Sequence, residues 1–354
     1  MRILHVDTEK GWRGGEQQLL YLVKELKERG VDVAVACRVG DELEKRCRKE
    51  GITVYPLKGN QTGDILRVGA LGKDYDLIHA HAAKAHTIAA LSKGFHRKPV
   101  IYTRRVDYPP KKNPLTELKY KLTDRVIAIT EFVANVLKRE LNLNDVEVIY
   151  SAVDENLFRK VEFNKVRAFR DRFRGKKIVG SVAALTEQKN IPNLVEAARI
   201  ILKERGDTVF VVFGEGNLRN YLQDLIRKKG LEGSFVLAGF KEDVYNYVKG
   251  FDVFVLPSDY EGLGSSILTA MLLQVPVVAT KVGGTPEVVK DGETGLLVER
   301  RNPVKLAGAI LRLLDDEELR KRLTEKAYTT VVDKFSVGRM VDAYLRVYGE
   351  VVGV

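Results

Sequence analysis

Tryptophan occurs once, cysteine twice and methionine three times in these 354 residues. Two thiols, Cys37 and Cys47, cannot build a disulfide framework and lack metal-site spacing. They read as partly buried free thiols in a reducing compartment. No apolar run approaches the roughly 20 residues that span a bilayer, which argues against a membrane-spanning helix. The chain opens on an apolar strand, Arg2 to Val6, with no basic segment or cleavage site before it. No signal peptide is expected, and the expected location is the cytoplasm, including the inner face of the membrane. Low-complexity stretches and solenoid-type repeats are also lacking.

Charge is abundant and lopsided. The net charge is +11. Residues 91–125 carry 10 Lys and Arg against 3 Asp and Glu, a surplus of 7. Such a patch suits nucleic acid, acidic lipid headgroups or a phosphorylated substrate; a solubilising surface is the plain alternative.

Length and hydrophobic rhythm point to two α/β domains. Strands at Arg2 to Val6, Val31 to Cys37, Ile52 to Pro56, Asp76 to His81, Val100 to Thr103 and Arg125 to Ile129 alternate with helices. One helix runs from about Glu16 to Arg29, with Leu19, Leu22, Val23 and Leu26 on one face. The cycle restarts near residue 150, with strands at Glu147 to Tyr150, Lys177 to Ala183, Thr208 to Phe213, Phe235 to Ala238, Val253 to Leu256 and Val275 to Ala279. Short, nearly all-apolar strands separated by helices imply parallel sheets covered on both faces. Ligands of such sheets collect at the carboxyl ends of the strands, where helix N-termini offer free amides.

The loops at those ends differ in how much they say. Gly11 to Gln17 (GWRGGEQ) is glycine-rich without being a GxGxxG fingerprint, and a tight turn explains it as well as a ligand does. His79 and His81 lie on one side of a strand near its end. Hydrogen bonding in the core, substrate contact and metal ligation all remain open, although two imidazoles without a nearby third make a poor metal site. Asp74 and Asp76 form a DxD triplet at the opposite strand end and read as a turn. Arg104 and Arg105 fit either acceptor anion binding or a solvated loop. In the second half, Lys189 precedes a helix, where cation and helix terminus together suit a phosphate. Gly214 and Gly216 follow a strand. PSDYEGLGSSILTAM then delivers Glu261, a glycine loop and a helix start: a carboxylate for sugar hydroxyls beside amides for a diphosphate.

These stretches, with VPVVATKVGGTPEVVKDGETGLLV, FGEGNLRNYL, FVLAGF, VIYSAVDENLF, GGEQ and IHAH, make the chain similar to the retaining glycosyltransferases of family four, of the GT-B fold. The resemblance implies two Rossmann-like doubly wound domains facing a central cleft. An acceptor-side domain covers 1–155, joined by the C-terminal helix 336–354, and a donor domain covers 156–335. It implies Lys189 on the donor pyrophosphate, Glu261 on sugar hydroxyls and His81 near the reacting sugar as the catalytic set. Gly14, Gly15, Gly214, Gly216, Gly262, Leu263, Gly264, Ser265, Ser266 and Thr269 would surround the donor, and Arg104, Arg105 and Glu16 the acceptor. Two positions depart from the pattern. Ala184 stands where the family's arginine precedes the lysine, and Thr269 stands where its second glutamate holds the ribose. Arg104, Arg105 or Arg13 are candidates to replace the missing cation.

The expected activity is metal-independent, retaining transfer from a UDP-, GDP- or ADP-sugar to a glycan, phosphorylated or lipid-linked acceptor in cell-envelope or lipopolysaccharide synthesis. No metal, cofactor or nucleic acid is expected, and residues 91–125 are the candidate contact with an anionic membrane. A donor-binding but weakly active subunit, a nucleotide-sugar epimerase or hydrolase of the same fold, and a dinucleotide oxidoreductase are the competing readings.

Overall fold

The computed structural model describes residues 1–353. It forms two compact units: Met1–Ala152 with the segment from Val337, and Val153–Ser336.

The first unit is a seven-stranded sheet, ordered β3-β2-β1-β4-β5-β6-β7. The strands are β1 (Arg2–Val6), β2 (Asp32–Arg38), β3 (Thr53–Leu57), β4 (Leu77–Ala80), β5 (Val100–Arg104), β6 (Arg125–Ala128) and β7 (Val146–Val148). All neighbouring pairs run parallel. Side chains alternate across the sheet as the two-residue period requires. Ile3, Val33, Val35, Leu77 and Ile101 face Leu19, Leu22, Val23 and Leu26 of the helix Gly14–Glu28, with Val341, Tyr344 and Val347 of the C-terminal helix Val337–Val352. Leu4, Val6, Ala34, Ile78 and Tyr102 face Val68, Ile88 and Ala89 on the other side.

The second unit is a six-stranded parallel sheet ordered β10-β9-β8-β11-β12-β13. Its strands are β8 (Lys177–Val182), β9 (Thr208–Phe213), β10 (Phe235–Gly239), β11 (Val253–Leu256), β12 (Val277–Thr280) and β13 (Leu296–Val298). Each sheet reverses its order of travel once, between β1 and β4 and between β8 and β11. Loops on either side of such a reversal diverge and leave room for a ligand.

Three sequence expectations need correction. The segment at Glu147 to Tyr150 does not begin the second cycle. It is β7, which extends the first sheet by pairing with β6. Gly14 and Gly15 are not loop residues but the first turn of their helix, whose start is held by Glu16 Oε2 accepting from Arg13 N at 2.7 Å. The helix Gln61–Leu71 lies in a stretch for which the sequence predicts no element. Its two internal glycines weaken the helical signal, and Gly69 is there for space: a Cβ would come within 2.9 Å of the Phe95 side chain.

Candidate active site

Two groups of strand-end residues carry the chemistry, one in each unit.

In the second unit, the loop after β8 turns through a short helical segment, Glu187–Lys189, into the helix Ile191–Glu204. Asn190 takes the left-handed conformation there (φ 43°), and its side chain caps Asn193 N. That conformation lets the loop zip onto the one after β11. Asp259 N donates to Gln188 O at 2.8 Å, and Gln188 Nε2 donates to Tyr260 O at 3.0 Å. Asn190 Nδ2 donates to Asp259 Oδ1 at 2.8 Å. The zipper brings Lys189 Nζ to Glu261 Oε2 at 2.6 Å, and Ser258 Oγ donates to the same oxygen at 3.1 Å. Glu261 is 7% exposed. A carboxylate this buried needs such partners, because removal from water disfavours its charge.

Immediately after Glu261, Gly262, Leu263 and Gly264 are buried, and Ser265 opens the helix Ser265–Leu272. Gly264 sits at φ 89°, a region closed to most side chains. Among the described residues no side chain caps this helix. The first-turn amides at Ser265 and Ser266 therefore have no side-chain cap, and they stand at the positive end of the helix dipole a few residues after Glu261. Thr269 lies one turn further along and is half-buried. Gly283 lies against the main chain of Glu261: a Cβ there would meet the Glu261 carbonyl oxygen at 1.8 Å, and Gly284 N donates to that oxygen at 3.1 Å. Gly214 and Gly216 have a packing reason of their own. Added Cβ atoms would lie 2.0 Å from Ala183 O and 2.3 Å from Leu185 O.

In the first unit, His81 is the residue that follows β4, and it is 3% exposed. His5 of β1 pairs in register with His79 of β4. The three imidazoles therefore meet, with ligand-capable nitrogens within 4.8 Å of one another. The expectation that His79 and His81 lack a nearby third imidazole is thus corrected. No sequence motif marks His5; its place beside His79 follows from the pairing of β1 with β4. His79 spends both nitrogens on hydroxyls, Nδ1 with Tyr348 Oη at 2.7 Å and Nε2 with Thr103 Oγ1 at 2.8 Å. That arrangement makes the cluster a poor metal cage. Burial lowers the proton affinity of all three rings, that of His5 to about 3.

Asp7, just beyond β1, is likewise buried, and burial followed by the nearby Glu16 raises its carboxyl to about 7. Burial also raises Glu16, whose Oε2 accepts from Arg13 N at 2.7 Å. Arg105 packs beside Gly15, where a Cβ would lie 3.6 Å from Arg105 Cδ. Its Nη2 reaches His81 Nδ1 at 3.3 Å. Arg104 does not belong to a solvated surface. It is 3% exposed, donates to Tyr108 O and lies over the Tyr108 ring. Hence the loop brings Gly15, Glu16, His81 and Arg105 into one neighbourhood and turns Arg104 back on itself.

Comparison with known proteins shows the family and the fold. The pattern of the family described as Glycosyl transferases group 1 matches residues 162–330, and that of Glycosyltransferase Family 4 matches residues 12–157. An uncharacterized glycosyltransferase of Methanocaldococcus jannaschii is 30% identical over 80% of this chain and 77% of its own. A lipopolysaccharide core biosynthesis glycosyltransferase of Rhizobium meliloti is 28% identical over 98% of both chains. A protein of Anabaena, solved in complex with UDP-glucose, shares the fold with a TM-score of 0.90 at 22% identity, covering 99% of this chain and 100% of that one.

Proposed function

Since the chain belongs to the group 1 glycosyltransferases of family four, we propose that it transfers a sugar from a nucleotide-diphosphate donor with retention of anomeric configuration and without a metal ion. The observation that carries this reading is the Lys189–Glu261 pair beside the uncapped start of Ser265–Leu272. In the transition state, charge accumulates on the departing diphosphate. Lys189 and the amides of Ser265 and Ser266 are the fixed groups that would meet it. A lysine ammonium has three protons, so it keeps its bond to Glu261 while donating to phosphate oxygens. Glu261, held by Lys189 and Ser258, is left with one oxygen for the hydroxyls of the transferred sugar. Gly262, Leu263 and Gly264 let the backbone approach the ligand, and Thr269 is the hydroxyl placed to meet the ribose. Gly214 and Gly216 would keep the neighbouring turn close to it. Because the Anabaena protein was solved with UDP-glucose, UDP is the first nucleotide to try, ahead of GDP and ADP.

The acceptor side of the reaction would fall to the first unit, through Gly14, Gly15, Glu16, His81 and Arg105. Arg104 would support that loop from within. The name of the Rhizobium relative points to a glycan or lipid-linked acceptor of the cell envelope. No helix among the described residues is long and apolar enough to cross a membrane. Contact with an anionic bilayer would come through residues 91–125, where Leu115, Leu118 and Tyr108 are exposed next to Lys111, Lys112 and Lys121. Apolar side chains enter the headgroup region while lysines meet its phosphates.

A thermal-shift screen of nucleotide sugars, followed by transfer assays with the ligands found, tests the reading. Lys189→Ala should lower kcat by about 10²–10³-fold, the usual cost of removing one donor to a developing anion. Tight donor binding without transfer to any acceptor would favour a non-catalytic subunit, a reading motivated by Ala184 and Thr269. Release of free or epimerised sugar would favour the hydrolase or epimerase.

A further inference from the structure

Three consecutive residues of one loop hold three consecutive residues of another. After β8, Gln188 bonds Tyr260 through its side chain and Asp259 through its carbonyl, Lys189 meets Glu261, and Asn190 Nδ2 donates to Asp259 Oδ1. A third loop joins them after β13. Arg301 reaches Asp259 Oδ2 from Nε and from Nη2, both at 2.7 Å, and Arg300 Nη1 donates to Asp259 O at 3.2 Å. The Arg300 guanidinium also lies over the Tyr260 ring, 5.4 Å from its centroid. Asp259 is thus the junction of the three loops, and it is 6% exposed. The two residues that grip its carboxylate, Asn190 and Arg301, both take left-handed backbone, at φ 43° and 57°. An arginine gains nothing locally from that conformation, so the contacts around it must hold it there.

We infer that Asp259 is a positioning residue: anchored by Arg301, it fixes the backbone of residues 188–190 so that Lys189 and Glu261 are presented to the donor as one unit. A carboxylate suits the junction because it has an acceptor for each side, Oδ1 for the loop after β8 and Oδ2 for the loop after β13. An amide in its place has one acceptor only, and its NH2 would face a guanidinium. Lys189 needs such support. Its charge rides on a flexible four-carbon stem, and pinning the chain on both sides of it, through Gln188 and Asn190, leaves only the side-chain torsions free. Asp259 therefore acts through Lys189. The role in donor chemistry rests on the function proposed above; the tie between the loops does not.

Hydrogen exchange on the full chain reads the tie, and transfer assays read its consequence. In Asp259→Ala the amides of Lys189 and Asn190, bonded at 3.1 Å to Thr186 O and Glu187 O, should exchange faster, while those of β11 keep their protection. Unchanged exchange at 189 and 190 would overturn the inference. With the donor found by thermal shift, beginning with UDP-glucose, kcat should fall about tenfold or more, with a smaller loss of donor affinity. Misplacing a group that meets developing charge costs most in the transition state. A lowered melting temperature with kcat unchanged would leave Asp259 a purely structural part and sink the positioning role. Asp259→Asn keeps an oxygen for Asn190, and the Arg301 side chain, 66% exposed, can swing into water. That variant should recover most of the loss and match Arg301→Ala. Asn190→Gly accepts φ 43° but lacks the amide, and with Asp259→Ala it closes a double-mutant cycle in which the lost cap on Asn193 cancels. The double variant should be no slower than the slower single; additive losses would refute the link. If no nucleotide sugar bound, the proposed function would fail while exchange still decided the tie. If Asp259→Ala failed to fold, Asp259→Asn and Arg301→Ala would decide it: equal, partial losses support the junction, and wild-type behaviour in both overturns it.

Discussion

Lys189 and Ser258 both bond one carboxylate oxygen of Glu261, which is 7% exposed. Removing the lysine strands that carboxylate. Lys189→Ala should destabilise the second unit by about 2 kcal/mol, less than the 3–5 kcal/mol of a fully buried pair because the Lys189 side chain is 20% exposed. Lys189→Ala/Glu261→Gln should recover part of the loss, which urea denaturation of the three proteins will show. Asp7 gives a prediction of opposite character. Its folded-state proton affinity, near pH 7, is above the ordinary value of 3.8. Between about pH 4 and 7 the folded chain thus holds a proton that the unfolded chain has released. The contribution is stabilising at the acid end and fades as pH rises through the window. Asp7→Asn should gain on wild type with increasing pH, by up to about 1.4 kcal/mol per unit. A flat difference between the two proteins from pH 5 to 8 would count against a buried, proton-holding Asp7. Lys189 and Glu261 were legible in the sequence because each lies at the mouth of a strand and beside a helix start. His5 and Asp7 were not: they follow no motif, and their importance depends on which strand becomes the neighbour of β1.

Among the elements, the helix Ser265–Leu272 depends most on the backbone before it. Gly264→Ala would force a side chain into φ 89° and within 2.9 Å of Ile267 Cδ1. A cost of about 1–2 kcal/mol follows from the left-handed conformation alone. Displaced amides should weaken nucleotide binding at least tenfold by calorimetry. Gly233→Ala, where no atom lies within 4 Å, is the matched control and should change neither quantity. The apolar runs of β8, β9 and β11 announced themselves, since strands covered on both faces are apolar throughout. The helix Gln61–Leu71 stayed hidden because Gly63 and Gly69 interrupt it, and Gly69 answers to Phe95 rather than to helical preference. The start at Gly14 was hidden for a related reason. Arg13 is an unusual cap residue: its side chain has no acceptor, and only the bond from its backbone N–H to Glu16 Oε2 marks the start.

At the scale of the molecule, the first unit is assembled from two stretches far apart in the chain. Tyr344 and Tyr348 of the C-terminal helix are almost fully buried against β1 and β4, and Tyr348 holds His79. Deleting the chain from Val337 onward should strip hydrogen-exchange protection from β1, β4 and the helix Gly14–Glu28. The amides of β8, β9 and β11 should keep theirs; equal loss in both units would refute the division. The alternation of strands and helices revealed two sheets, but the return of the last helix came from family resemblance, because no local pattern says which core an amphipathic helix will join. Tyr348→Phe isolates the polar part of that helix's contribution. It should cost about 1 kcal/mol by leaving one buried nitrogen unpaired, measured from the shift in melting temperature.

This discontinuity has a consequence for biogenesis. A ribosome delivers residues 1–152 first, yet their apolar face stays open until the stretch beyond Ser336 has emerged. The later half has all its parts before then, so it matures ahead of the earlier half, the reverse of the usual vectorial order. A nascent chain stalled near residue 336 would therefore be a client for chaperones through its N-terminal portion.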